Sequence, residues 1–289
     1  LAPNTIVAKW KHSNDNQATP YYVIEVNPRV SRSSALASKV TGYPIARVAA
    51  KIAAGKLLNE IINSVTKKTS AAFEPVLDYC VFKIPRWPFD KFHSGDRRLG
   101  TQMKATGEVM AIGRNFATAF QKAIRSLELG KDYLWDADAN IKKKNISLEA
   151  TDLRVWSIIQ SLRLGLSTSS IIKKTSIDPW FIEQINLIVQ FEQKIKNSKS
   201  LSKELLINAK KMGFSDQSIG KLLNISPKTI RQKRIKLNIR PVYKMVDTCA
   251  GEFDAETPYF YSTYEEENEA LSIKSKKMLV IGSGPIRIG

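Results

Sequence analysis

The sequence has little cysteine, little histidine and no long apolar run, and each shortage excludes a class of protein. Its two cysteines, Cys80 and Cys249, lie far apart, and neither has another thiol or a histidine at metal-ligand spacing. This argues against a disulfide framework and against a zinc site. No apolar run approaches the roughly 18 residues that cross a bilayer, so we expect no membrane partner. We therefore expect a reducing compartment, either the cytoplasm or, in a eukaryote, an organelle matrix or stroma.

Acidic residues are scarce relative to basic ones, with 27 Asp and Glu against 45 Lys and Arg. The formal net charge of +18 favours an anionic partner such as nucleic acid, nucleotide or phosphate. The excess is uneven, because residues 194–244 hold 14 basic and two acidic residues, whereas residues 247–269 hold eight acidic residues and no Lys or Arg. Neighbouring blocks of opposite sign can neutralise one another within a fold or across a subunit contact, which weakens the prediction of nucleic-acid binding.

The hydrophobic pattern predicts a mixed α and β region followed by an all-helical one. At 289 residues the chain exceeds the usual domain of roughly 100–200 residues, so we expect two folded units. In the first region the pattern predicts strands at 21–27 and 73–84, helices at 45–54 and 117–129, and a hairpin at 103–114.

From about residue 130 to residue 245 apolar residues recur at helical spacing, and no strand is predicted. Trp156 and Trp180 stand in this region at places that favour core packing, as does Trp135. Residues 247–269 have too little periodicity for a helix or strand and are interpreted as a connecting segment. Residues 278–281 have the pattern of a buried strand, so a third domain is predicted to begin there.

Glu25 and Asn27 are the first candidate site residues. Residues two apart in a strand face the same side, about 6.6 Å apart along the backbone. A carboxylate and an amide oxygen on one face suit Mg²⁺, which uses one or two carboxylates plus substrate phosphates. Arg29 and Arg32 follow directly and could hold phosphate or carbonate oxygens. The same residues could equally form the solvated face of an ordinary strand, so the pattern alone leaves both interpretations open.

The sequence around these residues resembles the large chains of carbamoyl-phosphate synthases, which are ATP-grasp ligases. The resemblance rests first on a nearly continuous run at residues 24–39, IEVNPRVSRSSALASK, with TGYP at 41–44 and AAK at 49–51. Further segments agree in order: FEP at 73–75, KIPR at 83–86, TQMK at 101–104, GEVMAIGR at 107–114, PVYK at 241–244 and YSTYEEE at 261–267. The resemblance covers almost the whole chain and is weakest over residues 130–235.

The resemblance implies a multidomain α+β fold that is an internal part of a longer chain. Residues 1–129 are expected to be the C-terminal part of the first ATP-grasp domain, the carboxyphosphate domain, with a mixed sheet and helices. Residues 130–275 are expected to form an all-helical oligomerisation domain with a connecting segment. Residues 276–289 are expected to give the first strand of the second synthetase half, the carbamoyl-phosphate domain.

The resemblance also implies a reaction and partners. In the family this half phosphorylates bicarbonate with ATP to give carboxyphosphate, ammonia from glutamine then gives carbamate, and the second half phosphorylates carbamate. The product serves pyrimidine and arginine biosynthesis. The implied partners are a glutamine amidotransferase small subunit, the substrates bicarbonate, ammonia and ATP, and further copies of the chain through the helical domain. Nucleic acid is not among them, and the fragment by itself is expected to be inactive.

The resemblance assigns roles to the four candidate residues. Glu25 and Asn27 would bind the Mg²⁺ or Mn²⁺ ions of the first ATP site, with K⁺ as a further candidate cation, and Glu25 would also belong to the ATP site. Arg29 and Arg32 would face the phosphate and bicarbonate as catalytic residues.

One departure from the family pattern lies just upstream. The usual sequence there is Asn-Val-Gln-Phe-Ala, whose Gln is a further metal ligand, whereas residues 4–8 read Asn-Thr-Ile-Val-Ala. Ile6 cannot ligate a metal, so either the alignment slips there or the site is altered, and we assign no third ligand.

Two alternatives remain open. Residues 214–234 have the pattern of a helix-turn-helix, with Ser226 as a cap and Lys228, Arg231 and Arg234 along one helical face, as a DNA-binding protein requires. The same stretch occupies the position of the family's oligomerisation domain. The other alternative is that the chain is a purely structural association module without activity.

Overall fold

The computed structural model describes residues 6–10, 19–23, 32–129, 146–247, 259–270 and 275–282, with the backbone alone for the first two stretches and for residues 32–33. The chain divides into two compact units. The first comprises Leu1–Val76 and Gly251–Thr257, and the second comprises Leu77–Ala250 and Pro258–Gly289.

The first unit contains a strand pair and two helices. Strands β1 (Ile6–Trp10) and β2 (Thr19–Val23) pair antiparallel. Helices α1 (Arg32–Thr41) and α2 (Ile45–Ala53) follow, and a short 3₁₀ helix occupies Leu58–Glu60. The predicted helix at 45–54 is confirmed. Of the strand predicted at 21–27, residues 21–23 are strand and residues 24–27 lie outside the described part of the chain.

The second unit begins with a strand pair covered by a helix. Strands β3 (Cys80–Arg86) and β4 (Gly107–Gly113) pair antiparallel over seven residues each, and α3 (Phe116–Ser126) packs on them. Asn115 caps α3 by accepting a hydrogen bond from the Thr118 backbone N–H at 2.9 Å. The helix predicted at 117–129 is therefore confirmed, with its end three residues earlier.

Six helices then form the body of the unit, and all but the first begin with a side-chain cap. They are α4 (Arg154–Arg163), α5 (Thr168–Thr175), α6 (Pro179–Lys196), α7 (Lys203–Lys211), α8 (Asp216–Leu223) and α9 (Pro227–Lys236). The caps are Ser167, Asp178, Ser202, Ser215 and Ser226. A capping Ser or Asp satisfies one orphan N–H and so fixes where each helix starts.

One apolar core joins the strand pair, α3 and the helices. It includes Ile84 of β3, Phe120 of α3, Ile159 of α4, Ile182 of α6 and Ile219 of α8, all buried. The predicted helical region is confirmed over the described helices, whereas residues 130–145 lie outside the described part of the chain. The predicted domain boundary near residue 129 stays a prediction.

The predicted hairpin at 103–114 is wrong. β4 pairs with β3 rather than with residues 103–106, and Met103 is 87% exposed. The connection between β3 and β4 is held elsewhere, because Arg97 forms an ion pair with Asp152 and the Leu99 N–H donates to the Ala150 carbonyl at 2.7 Å. A seven-residue ladder with a buried face outweighs the short local pairing that the turn signal suggested.

Strands also close the second unit, contrary to the prediction that none occurs from 130 to 245. β5 (Val242–Met245) pairs antiparallel with β6 (Phe260–Thr263), which lies in the predicted connecting segment. Four-residue strands contain too few alternations for the sequence pattern to reveal them.

Residues 278–281 do not form the predicted buried strand. Within residues 275–282 no strand is formed, and Met278, Leu279, Val280 and Ile281 are each more than 80% exposed. A strand needs a neighbouring strand to satisfy its backbone groups, and none of the described residues supplies one here.

Among the described residues, no helix combines the length and the apolar character that crossing a bilayer requires.

Candidate functional site

The four predicted site residues fall at the junction between β2 and α1. Glu25, Asn27 and Arg29 lie outside the described residues. Arg32 is the first residue of α1, and its side chain also lies outside the described part. Their assigned roles therefore stay a prediction, and the structure describes only the elements on either side of them.

Strand β1 is the neighbour of the predicted metal strand. Its register places Ile6 opposite Val23, the last residue of β2, two residues before Glu25. Residue 6, which the resemblance aligns with the family's Gln unless the alignment slips there, is thus a β-strand residue paired with the end of β2. In this chain that position holds an aliphatic side chain, which offers no oxygen to a cation.

Polar contacts hold the far end of α1 in place. The Ile45 backbone N–H donates to Ser38 Oγ at 3.2 Å, and the Thr41 hydroxyl donates to the Ala37 carbonyl at 2.8 Å. Both bonds are local, and together they fix the corner between α1 and α2. Pro44 stands directly before α2 and accepts the first helical bond, from the Val48 N–H, through its carbonyl.

A loop after the 3₁₀ helix braces this corner from the other side. The Tyr43 hydroxyl donates to the Ala71 carbonyl at 2.8 Å, and Asn63 Nδ2 donates to the Gly42 carbonyl at 3.3 Å. Val48 and Ile61 are buried beneath these contacts. The helix that begins at the candidate site is therefore anchored at its C-terminal end by a small packed unit.

Metal ligands do not cluster elsewhere in the described residues. Within that part of the chain, no group of three or more His, Cys, Asp or Glu side chains converges on a point where an ion could sit. The metal role of Glu25 and Asn27, which lie outside the described residues, stays a prediction.

The helix-turn-helix predicted at 214–234 exists as a corner between α8 and α9, with Ser226 as the cap of α9. Arg234, however, does not project outwards with Lys228 and Arg231. Its guanidinium is largely buried, forms a salt bridge with Asp216 at 3.1 Å and donates to the Ile239 carbonyl at 3.0 Å. One of the three cations predicted to face DNA thus serves to hold the corner together.

Asp216 links α7 to the same corner. Lys210 Nζ lies 3.0 Å from Asp216 Oδ1, and burial lowers the pKa of this lysine to about 8, although the carboxylate acts in the opposite direction. Lys210 and Arg234 both lie over the ring of Tyr264, at 5.1 and 5.8 Å from its centroid. Through these cation–π contacts, Tyr264 packs the segment after β6 against α7 and α9.

The acidic segment returns to the basic helical region, as the charge pattern suggested. Lys244 contacts Glu269 at 2.7 Å and Glu267 at 3.4 Å, and Lys211 lies 3.8 Å from Glu265. Part of the basic excess is therefore neutralised within the unit. Such internal neutralisation weakens the argument for a nucleic-acid partner.

Sequence reasoning missed a polar cluster beside β6. Arg114 Nη1 contacts Asp78 Oδ2 at 2.5 Å and also donates to the Tyr261 hydroxyl at 3.5 Å, and both bonds raise the pKa of the guanidinium. Burial raises the pKa of the adjacent Tyr79 hydroxyl, whose ring lies 5.7 Å from that of Tyr261. No spacing in the sequence joins residues 78, 114 and 261, so only the fold reveals this group.

Two sequence profiles match the chain. The profile described as the carbamoyl-phosphate synthase L chain, ATP binding domain, matches residues 9–61. The profile described as the carbamoyl-phosphate synthetase large chain, oligomerisation domain, matches residues 108–238. The first match includes the predicted metal strand and begins just after the departure at residues 4–8. The second includes β4 from its second residue and every helix from α3 to α9.

Curated proteins named carbamoyl phosphate synthase large chain match almost the whole chain. The protein from Thermomicrobium roseum is 55% identical over 280 residues, which is 95% of this chain and 26% of that protein. The proteins from Clostridium botulinum and Clostridium beijerinckii are 54% and 55% identical over 275 residues. The chain thus spans about a quarter of the length of the relatives it matches.

Proposed function

Because the chain belongs to the family of carbamoyl phosphate synthase large chains, we propose that it forms part of the first ATP-using half and the oligomerisation domain of such an enzyme. The identity of 55% over 95% of the chain carries this proposal. The whole protein would be a ligase that makes carbamoyl phosphate from bicarbonate, ammonia and ATP. A section of about a quarter of that length would contribute to the reaction without performing it alone.

The proposed reaction at the β2–α1 junction is the transfer of a phosphoryl group from ATP to bicarbonate. Glu25 and Asn27 supply oxygen donors of the kind that hold Mg²⁺ or Mn²⁺. Such an ion neutralises charge on the nucleotide phosphates while the phosphoryl group moves. A K⁺ ion is a further candidate cation for the complete enzyme.

The two arginines fit the remaining requirement of this reaction, which is to bind anions. The guanidinium groups of Arg29 and Arg32 present paired N–H donors that match phosphate or carbonate oxygens. Arg32 also begins α1, so a bound anion would lie near the N-terminus of a ten-residue helix, where the backbone dipole favours negative charge.

The second unit fits an association role. Trp180, Phe181 and Leu187 of α6 are 49%, 45% and 49% exposed, so large apolar side chains lie on the surface of the region that matches the oligomerisation profile. We propose that copies of the chain associate through this helical region. By analogy with the family, we also expect the complete enzyme to bind a glutamine amidotransferase small subunit and to act in the cytoplasm or an organelle. Its product would enter pyrimidine and arginine biosynthesis.

Replacing Glu25 tests the proposed site. In the complete large chain with its small subunit, Glu25→Gln is expected to abolish bicarbonate-dependent ATP hydrolysis and to spare ATP formation from carbamoyl phosphate and ADP. Gln keeps the shape of the side chain but removes the negative charge that a metal ion needs. Both partial reactions are measured by coupled assays, and Asn27→Ala is expected to show a milder loss.

Glu266→Gln provides a matched control, because Glu266 is an exposed carboxylate far along the chain in the second unit. It is expected to leave both reactions unchanged. Bicarbonate-dependent hydrolysis near the wild-type rate in Glu25→Gln would contradict the metal role. Equal loss of both reactions would instead show that the substitution acts through the fold rather than through a metal ion.

A further inference from the structure

Helix α6, with 18 residues, is the longest helix in the described part of the chain, and one of its faces is uncovered. Its inner face packs into the core of the second unit through Ile182, Ile185 and Ile188, which are buried. On the outer face, Trp180 and Leu187 are each 49% exposed. The helix therefore presents large apolar side chains on a face that no other described element covers.

Five exposed positions of α6 repeat at alternating intervals of three and four residues. They are Trp180, Glu183, Leu187, Gln190 and Lys194, and we refer to them as the α6 seam. With 3.6 residues per turn, all five fall within an arc of about 80° around the helix. The same spacing defines the line along which two helices of a coiled coil meet. The uncovered face of α6 therefore has the pattern of a surface that pairs with another helix.

The α6 seam carries charges of opposite sign towards its two ends. Glu183 lies in the N-terminal half of the helix and Lys194 in its last turn, about 16 Å apart along the axis. Within the described residues, neither side chain has an ion-pair partner. The Lys194 ammonium lies 5.8 Å from the centroid of the Phe191 ring, a contact that leaves its charge unneutralised. Both charges can therefore meet opposite charges on a second molecule.

A second copy of the chain is the partner that fits this face. The profile described as an oligomerisation domain matches residues 108–238, which include the whole of α6. The commonest homo-oligomers have two-fold symmetry, in which the same patch of each copy meets and every contact between unlike residues occurs twice. A seam with one acidic and one basic end is complementary to itself when the two helices run antiparallel.

The two charges select the direction of the pairing. A parallel pair would place Glu183 against Glu183 and Lys194 against Lys194, and both contacts are repulsive. In an antiparallel pair whose two-fold axis passes midway between these residues, each Glu183 faces Lys194 of the other copy. Each Leu187 then faces Gln190 and lies about 4.5 Å along the axis from the other Leu187. Trp180, one turn beyond Glu183, would lie beside the paired ammonium.

We propose that α6 binds α6 of a second copy in the antiparallel direction, with two Glu183–Lys194 ion pairs flanking a central contact of the Leu187 side chains. This inference rests on the association proposed above for the helical region, and it adds which helix makes the contact and in which direction. Five side chains from each copy form a small contact, so the association is expected to be weak and to depend on concentration.

Exchanging the two charges tests the pairing on the full 289-residue chain. Glu183→Lys and Lys194→Glu each convert both ion pairs into like-charge pairs, so each is expected to raise the dissociation constant of the self-association at least fivefold at low ionic strength. An equimolar mixture of the two variants restores unlike charges across the contact, as does the variant with both substitutions. Both are expected to return to within twofold of the wild-type constant, measured by sedimentation equilibrium.

Two reversals on other helices provide matched controls. Glu204→Lys of α7 and Lys228→Glu of α9 change the net charge by the same amounts, and both residues are exposed. Each is expected to leave the dissociation constant within twofold of the wild type. Circular dichroism checks that all variants are folded, which is expected because every substituted side chain is exposed. An equal effect of seam and control reversals would overturn the pairing, because it would show a response to net charge alone.

The remaining outcomes separate this inference from the association on which it rests. A wild-type chain that associates while neither Glu183→Lys nor Lys194→Glu weakens it would overturn the pairing of α6 and leave the association of the helical region standing. Weakening by both variants without recovery in the mixture or in the double variant would overturn the antiparallel direction. A wild-type chain that stays monomeric up to near-millimolar concentration would overturn both proposals.

Discussion

Arg163 and Glu192 place opposite charges inside the helical core of the second unit. Arg163 Nε lies 3.0 Å from Glu192 Oε1, and their side chains are 8% and 3% exposed. The pair joins α4 to α6 in the interior. Taking both charges out of water is costly, and their attraction offsets that cost only while both partners are present.

Removing one member of this pair is expected to destabilise the second unit strongly. Glu192→Gln or Arg163→Met should lower the free energy of unfolding by about 3–5 kcal/mol, because each leaves a buried charge or polar group poorly matched. The double substitution Arg163→Met with Glu192→Met should cost much less, since no charge is left unpaired. Urea unfolding measures all variants, and a double variant as unstable as the sum of the single ones would show that packing matters more than charge.

At the residue scale the sequence predicts chemistry better than orientation. Spacing correctly placed Ser226 at a helix start, but it also placed Arg234 on an outer face, where the structure instead directs it to Asp216. Trp156 is buried as predicted, whereas Trp180 is 49% exposed. Helical periodicity defines a face, but tertiary packing decides how much of that face is covered.

The corner between α8 and α9 shows how one small residue can define an element. Gly220 lies inside α8, and a Cβ placed on it would approach the Ile225 carbonyl oxygen to 2.5 Å. That oxygen belongs to the backbone of the turn and cannot rotate away. The close approach of the turn to the helix therefore requires glycine at this position.

Gly220→Ala is expected to destabilise the second unit, although the same change in an open helix stabilises by about 1 kcal/mol. The clash should lower the free energy of unfolding by about 1–3 kcal/mol. Gly100→Ala is the matched control, because nothing lies within 4 Å of its added Cβ. Thermal and urea unfolding compare the two, and a neutral or stabilising Gly220→Ala would contradict the described geometry.

At the element scale the strands show that strand pairing is harder to predict from sequence than the helices are. The hairpin predicted at 103–114 contains the residues of β4, but nothing local indicates that the partner of β4 is β3, across a connection of 20 residues. Helices were predicted more successfully because their hydrogen bonds and caps are local. The candidate site residues came from a resemblance, since a Glu and an Asn two apart are too common to identify a site alone.

The whole molecule is expected to self-associate through the helical region. The 289-residue chain should form an oligomer of one defined, saturating size between micromolar and near-millimolar concentration, measured by light scattering. Leu187→Ser should weaken this association, because it removes an exposed apolar side chain of α6. Met103→Ser, which removes an even more exposed apolar side chain from the β3–β4 connection, is the control and should have no effect.

A strictly monomeric chain across that range would count against the proposed association. Aggregates of increasing size would count against it too, because exposed apolar surface can also associate without specificity. An equal effect of both substitutions would show that the contact is not specific to α6.

The hydrogen bond from the Lys122 ammonium of α3 to the Ser262 carbonyl of β6 also sets an order of events during synthesis. Lys122 and Ser262 are 140 residues apart in the chain. Arg114 and Tyr261, which are also in contact, are 147 residues apart. A ribosome adding about 5–20 residues per second would take roughly 7–28 s to supply the second end. During that interval α3 and β4 have emerged without the strand that later contacts them. For seconds the newborn chain therefore presents this surface of α3 and β4 without β6, a period in which a chaperone or a neighbouring chain on the same messenger RNA can reach that surface first.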